Sequence, residues 1–263
     1  MKLSEFEVLE SIREQMSRID GHLGFYYKNL ITGEEYGVGE DESYLAASVI
    51  KFPLFLHVLL ECEAGRMSLD DLLLTTDEDK VPSCGALNLF TGSVSTDIRT
   101  LCRLMICISD NTATNRLIRH CTIEGIERGF LSMGLEKTKI RRLLFDSAAS
   151  AKGIQNTVCP REIGALLERL YRGEFISSEI SEYVIGIMLE QQIDHKLDGK
   201  LCGEVAIAHK TGEDTGLSND VGIVYAEEPF VICFTGHGTD KYPWEDLIRR
   251  STYDLVRALQ KNS

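Results

Sequence analysis

The chain has 263 residues, 43% of them hydrophobic, enough to bury a sizeable core in one domain or in two closely packed ones. Its net charge of −13 argues against nucleic acid or an anionic membrane as a partner, because phosphate binding needs clustered Lys and Arg. The longest apolar run, around Phe55–Leu60, is broken by Pro53, His57 and Glu61 and falls short of the roughly 20 residues that span a bilayer.

In chain order, residues 1–20 place Leu3, Phe6, Leu9, Ile12, Met16 and Ile19 at helical spacing, with Glu5, Glu7, Glu10, Arg13 and Glu14 between them. This is the pattern of an amphipathic surface helix. Its alternating charge is unlike a secretion signal, so the expected location is the cytoplasm unless a leader has been removed. His22–Leu30 and Glu35–Val38 read as strands joined by a turn at Thr32-Gly33,. Helices are expected at Ile50–Ala64, stopped by Gly65, and at Asp97–Ile108, Thr112–Cys121, Ile123–Leu131, Pro160–Tyr171 and Ser178–Gln191,. Strand-like segments return at Glu204–Lys210, Asp220–Ala226 and Phe230–Thr235, before an amphipathic helix over Trp244–Leu259. Strands near both ends around a long helical insert give an α+β fold class. Residues 1–47 and 196–263 are expected to form an antiparallel sheet flanked by the terminal helices. Residues 48–195 are expected to form an all-helical lobe, in one continuous unit with the site in the cleft between. The eight cysteines contain no C-x-x-C pair, so neither a zinc site nor a redox motif is expected, and no other metal spacing stands out. Cys102 and Cys107 read as small buried hydrophobes.

Three short motifs lie at element boundaries. The first is Ser48-Val49-Ile50-Lys51. If Ser48 opens a helix, its hydroxyl sits at the positive end of the dipole, and Lys51 lies nearly one turn on, within reach of that hydroxyl. A lysine held in a dry site beside other cations loses basicity and can accept a proton from serine. The second motif, Ser109-Asp110-Asn111, separates two apolar helices, and the third, Lys210-Thr211-Gly212, ends the strand Val205–His209. Taken singly, each also fits a helix cap, a capping loop or a turn. His209, next to Lys210, should face the other side of its strand as a packing or surface residue. His195 reads as a loop residue, and Gly236-His237-Gly238 as a turn.

Together, in this order and at these intervals, S-x-x-K, S-D-N and K-T-G are similar to the signature of class A β-lactamases and penicillin-binding proteins. The neighbourhoods Ala46–Lys51 and Ile108–Asn115 are especially close, and the resemblance covers roughly residues 20–260. It implies a penicillin-recognising serine hydrolase that needs no cofactor and acts on a small molecule, a β-lactam or another amide or ester. Ser48 would attack the carbonyl carbon, Lys51 would help remove its proton, and Ser109 would pass a proton to the departing nitrogen beside Lys210. Asn111 would hold the substrate's side-chain amide, and Lys210 and Thr211 its carboxylate. The backbone N–H groups of Ser48 and Glu213 would form the oxyanion hole, with Gly212 letting substrate lie close to the strand.

Several departures from the family pattern bear on activity. Class A enzymes carry a deacylating glutamate on a loop that here falls within Arg141–Pro160, where Asp146 is the only carboxylate. Asp146 either serves as a shorter-armed base for water or fixes the loop by pairing with Arg141 or Arg142. The strand after K-T-G, which carries a pocket arginine in many relatives, reads Asn219-Asp220-Val221-Gly222-Ile223 and supplies no cation. Asp220 either repels an anionic substrate or pairs with Lys210. The disulfide that some relatives place between positions matching Phe55 and Cys102 cannot form here. The sequence therefore leaves open a turning-over hydrolase, a protein that is acylated and stays so, and a cytosolic esterase or amidase. It does not fix the oligomeric state.

Overall fold

The computed structural model describes residues 4–260. In chain order the elements are α1 (Glu5–Met16), β1 (His22–Asn29), β2 (Glu35–Val38), β3 (Tyr44–Leu45), α2 (Lys51–Glu63), β4 (Leu72–Thr75), β5 (Val94–Asp97), α3 (Ile98–Cys107) and α4 (Asn111–Cys121). Then follow α5 (Ile123–Ser132), α6 (Ser147–Ala151), β6 (Thr157–Val158), α7 (Pro160–Tyr171), α8 (Ser178–Leu189), β7 (Ile207–Asp214), β8 (Leu217–Val224), β9 (Phe230–His237) and α9 (Lys241–Leu259). The main sheet is antiparallel with order β2-β1-β9-β8-β7. Two small two-stranded antiparallel pairs, β3 with β6 and β4 with β5, stand apart from it.

Period-two alternation along these strands sends side chains to two cores. Phe25, Tyr27, Ile232 and Phe234 pack with Leu9, Ile12, Trp244 and Leu247 of the terminal helices. Tyr26, Ala208, Val221 and Cys233 face the interior shared with α2, α3 and α7. Burying each large apolar side chain contributes about 1.5–3 kcal/mol. The Trp244 indole is satisfied as well, donating to the Ser218 carbonyl at 2.8 Å. Helix α2 is the axis of the second core: Lys51 through Leu59 are all buried.

Local chemistry explains the boundaries. Ser4 caps α1 and forms a reciprocal capping box with Glu7,. Of the apolar stripe expected there, Leu9, Ile12 and Met16 are buried together with Val8, whereas Phe6 is 65% exposed; Leu3 lies outside the described residues. Asp97 caps α3 and Asp110 caps α4. The K-T-G strand runs through the motif instead of stopping at it, because β7 stays paired to β8 from Ile207↔Val224 to Asp214↔Leu217. Likewise β9 continues to His237. All eight cysteines are free, and Cys102 and Cys107 are buried.

Candidate active site

Ser48 does not open the helix. It sits in a single 3-10 turn, Ala47–Ile50, that leads into α2. The preceding Ala47 has φ 41°, a left-handed conformation that costs of order 1–3 kcal/mol and is held only where surroundings enforce it. Here the enforcing group is Asn219 on β8. Its fully buried amide donates to the carbonyls of Leu45 (2.9 Å) and Ala46 (3.1 Å) while accepting from Gly236 N–H.

Gly212 brings the K-T-G strand against this turn. A Cβ at Gly212 would lie 3.0 Å from the Ala46 oxygen, 3.0 Å from Val49 N and 3.1 Å from Ser48 N. The absence of a side chain therefore sets how close the Glu213 backbone comes to Ser48.

Ser109 also has a left-handed backbone, φ 57°, in the tight link between α3 and α4. Next to it, Asp110 is fully buried and does more than cap α4: its Oδ1 accepts from Ala113 N, and its Oδ2 accepts from Ala86 N (2.6 Å) and Leu87 N (2.9 Å). These bonds lash the loop around residues 81–90 to the motif. Gly85, at φ 125°, passes so close that a Cβ would meet the Asp110 carboxylate at 2.4 Å.

The two motif lysines converge on Ser109. Lys51 Nζ lies 2.7 Å from the Ser109 carbonyl, 2.7 Å from Asn111 Oδ1 and 2.9 Å from Ser109 Oγ. Lys210 Nζ lies 3.2 Å from the same Oγ and donates to the Thr211 carbonyl at 2.9 Å. Sequence reasoning directed Lys51 to the Ser48 hydroxyl. The structure turns it to Ser109 and Asn111, and among the described residues the Ser48 hydroxyl has no protein hydrogen bond.

Both lysines are fully buried. Burial, reinforced by the charge of Lys210, holds Lys51 well below the ordinary lysine range,. Burial and the neighbouring Lys196 bring Lys210 down to about 7, against the opposing pull of Asp220. Lys51 Nζ donates to two carbonyl-type oxygens and to the Ser109 hydroxyl oxygen.

Asp220 pairs with neither Lys210 nor an open pocket. Its carboxylate is buried against His209 Nδ1 (2.9 Å) and accepts from Leu197 N. His209 and Asp220 share the sheet face opposite Lys210, as strand alternation requires. Thr211 is buried on that side too.

Above these groups lies a cleft of about 500 Å³ lined by Ser48, Asn111, Leu144, Asp146, Glu213 and Lys241 among others. A larger cleft of about 740 Å³ between α2 and α5 holds none of the motif residues. The cleft's outer wall is the segment before α7. Asn115 clamps that wall at Leu144, accepting from Leu144 N (2.8 Å) and donating to Leu144 O (3.0 Å). Asn156 pins its base by accepting from Arg141 N and Arg142 N. Asp146 reaches the cleft, but its Oδ1 accepts from Ala149 N at 2.9 Å as the cap of α6. It does not pair with Arg142, whose guanidinium is taken up by Gln155 and by main-chain carbonyls.

At the opposite end, Glu213 is ringed by basic side chains: His195 Nε2 at 3.0 Å, Lys196 Nζ at 2.9 Å and Lys241 Nζ at 3.1 Å. The His195 bond, with the charge of Lys196, drives its carboxyl far below the usual range. Among the described residues, His195, Glu213 and Glu245 are the one group with metal-like spacing. Its carboxylates already answer Lys196, Lys241 and Arg249, which leaves little charge for a cation.

Sequence reasoning missed Asn115, Asn219, Leu144, Lys196 and Lys241. Asn115 stood inside a quoted motif context, but residue type alone signals nothing for a leucine or for distant lysines.

Comparison with known proteins agrees with this geometry. Residues 7–259 match the beta-lactamase enzyme family. A beta-lactamase of Rhodobacter capsulatus is 30% identical over 179 residues, covering 65% of this chain and 60% of that protein. The structure of a penicillin-binding protein, PBP-A, superposes with TM-score 0.87 at 27% identity, covering 98% of this chain and 97% of that one. A PBP-A variant in which a leucine is replaced by glutamate, solved as an acyl-enzyme with penicillin G, superposes equally well. No helix among the described residues is long and apolar enough to cross a membrane. The fold is that of β-lactamases and penicillin-binding proteins, and the chain belongs to the beta-lactamase enzyme family.

Proposed function

We propose that the protein forms an acyl-enzyme on Ser48 with a β-lactam or a related amide or ester, and releases it slowly, in the manner of a penicillin-binding protein. Ser48 Oγ bonds to the carbonyl carbon as its proton passes to Lys51, the motif lysine whose basicity burial lowers,. The C–N bond then breaks, and the nitrogen takes the Ser109 hydroxyl proton, which is restored from the lysine ammonium beside it. The backbone N–H groups of Ser48 and Glu213, kept close by Gly212, stabilise the oxyanion. Asn111 binds the acyl group's amide.

Hydrolysis of the ester requires a base for water. The observation that carries the slow-release reading is that Asn115 presents Leu144, a side chain without a titratable group, to the cleft. The nearby Asp146 commits one carboxylate oxygen to capping α6.

The test is intact-protein mass followed over time with a penicillin and a chromogenic cephalosporin, with Ser48→Ala as control. A lasting adduct lost in Ser48→Ala is expected. A transient adduct with steady colour would instead support a class A hydrolase using Asp146. Parental hydrolysis by Ser48→Ala would overturn the mechanism.

A further inference from the structure

The basic side chains beside the cleft are the feature that the acylation chemistry leaves unexplained. Lys196 comes from the loop before β7, Lys241 from the start of α9, and His195 from the same loop as Lys196. All three converge on one carboxylate, that of Glu213, which the K-T-G strand carries to the cleft wall. Lys196 is fully buried and donates to Glu213 Oε1 at 2.9 Å and to Ser218 Oγ at 3.3 Å. A buried ammonium requires an anion, and here the protein supplies it from a side chain that is itself partly exposed to the cleft. The second carboxylate of the group, Glu245, is occupied by Ser218 Oγ–H at 2.9 Å and by Arg249. The Arg142 guanidinium on the facing wall has its donors committed to Gln155 and to carbonyl oxygens. Asp214, next along β7, adds a further negative charge to the cleft lining.

We propose that Glu213 is a built-in anion that occupies the cationic end of the cleft, so that the site takes acyl donors uncharged at that end and disfavours those carrying a carboxylate there. This rests on the Ser48 cleft being the reaction site. An incoming carboxylate meets Glu213 and Asp214 before it meets a free cation, whereas an amide or ester can bond to the same groups without repulsion. Glu213→Gln keeps an oxygen for Lys196 and leaves the backbone N–H in place, but frees the charge of Lys241, which lines the cleft, to take the ligand's charge.

Two readouts separate this inference from the acylation reading. The first is the second-order rate of Ser48 acylation by benzylpenicillin and by its methyl ester. The native protein should favour the ester, and Glu213→Gln should shift the ratio toward the free acid by about 10- to 100-fold, as expected for gaining a charged hydrogen bond. The second uses Ser48→Ala protein, which cannot be acylated, and titrates phenylacetylglycine and its amide by calorimetry. Glu213→Gln in that background should shift the affinity ratio the same way. If no donor acylates Ser48 but the calorimetric ratio shifts, the acylation reading fails and the role of Glu213 stands. Equal acid-to-amide ratios in the Ser48→Ala proteins with Glu213 and with Gln overturn the role of Glu213. If Glu213→Gln does not fold, Lys241→Gln at the exposed end of the cluster should move both ratios severalfold the other way, toward uncharged ligands. An unchanged ratio there also overturns it.

Discussion

Replacing Gly212 by alanine probes how the K-T-G strand and the nucleophile's turn depend on each other. The new methyl would sit 3.0–3.1 Å from three backbone atoms, Ala46 O, Val49 N and Ser48 N, which is tighter than ordinary van der Waals contact. No flexible side chain is available to move aside. The turn is itself braced by Asn219, so relief must come from displacing β7 by a few tenths of an ångström. Overpacking of this kind costs about 1–3 kcal/mol, a fall in Tm of several degrees for a chain of this size. The chemical effect should be larger than the stability effect suggests, because the displaced element carries one of the two oxyanion donors. Losing one such donor costs about 10²–10³ in rate. The assay is the acylation rate of Ser48 by intact mass beside a thermal melt of the same protein. Parental acylation by well-folded Gly212→Ala would refute the argument that this close approach builds the site.

Other predictions follow from the same geometry. Asp110→Ala leaves three backbone N–H groups, of Ala86, Leu87 and Ala113, without their acceptor. At about 1–3 kcal/mol for each buried unpaired donor, it should lower stability by about 3 kcal/mol or more, read by denaturant unfolding. Asp146→Asn keeps a good N-cap and should change stability by no more than about 0.5 kcal/mol. It should leave the adduct's lifetime unchanged, whereas a hydrolase using Asp146 as base would show a longer-lived adduct. For pH, Lys210, whose Nζ sits beside Ser109 Oγ, loses its ammonium as pH rises through about 7. Acylation should therefore decline on the alkaline side of about pH 7. Lys210→Arg, which keeps its charge throughout, should remove that alkaline limb in rates measured between about pH 5 and 9.

The long strands and helices were legible because each repeats a simple period, and α7, opened by Pro160, was readable to its last residue. The motif strand was cut short because Lys210, Thr211 and Gly212 break the apolar run that marks a strand, although their main chain stays paired to β8. The short pairs β3–β6 and β4–β5 carry too few residues to display a period. Within the site, S-x-x-K, S-D-N and K-T-G were visible because each compresses its chemistry into adjacent residues. The orientation of Lys51 was not, since a helix face offers several partners and only the fold brings Ser109 and Asn111 to it. The ring of basic side chains around Glu213 joins residues 195 and 196 to residue 241, and nothing local in the chain connects the pair to the third. Leu144 is the clearest case: a leucine in a loop has no chemical signature, and only the two-sided Asn115 clamp shows that it occupies the position facing the cleft.

That position gives the most direct test. The decay of the Ser48–penicillin adduct should be timed by intact mass in the native protein and in Leu144→Glu. Placing a carboxylate where Asn115 presents the side chain should supply the missing base, a group that contributes about 10²–10⁴ in rate. The account predicts a persistent native adduct and a Leu144→Glu adduct that decays at least about 100-fold faster. Native and variant adducts decaying at the same rate would contradict it.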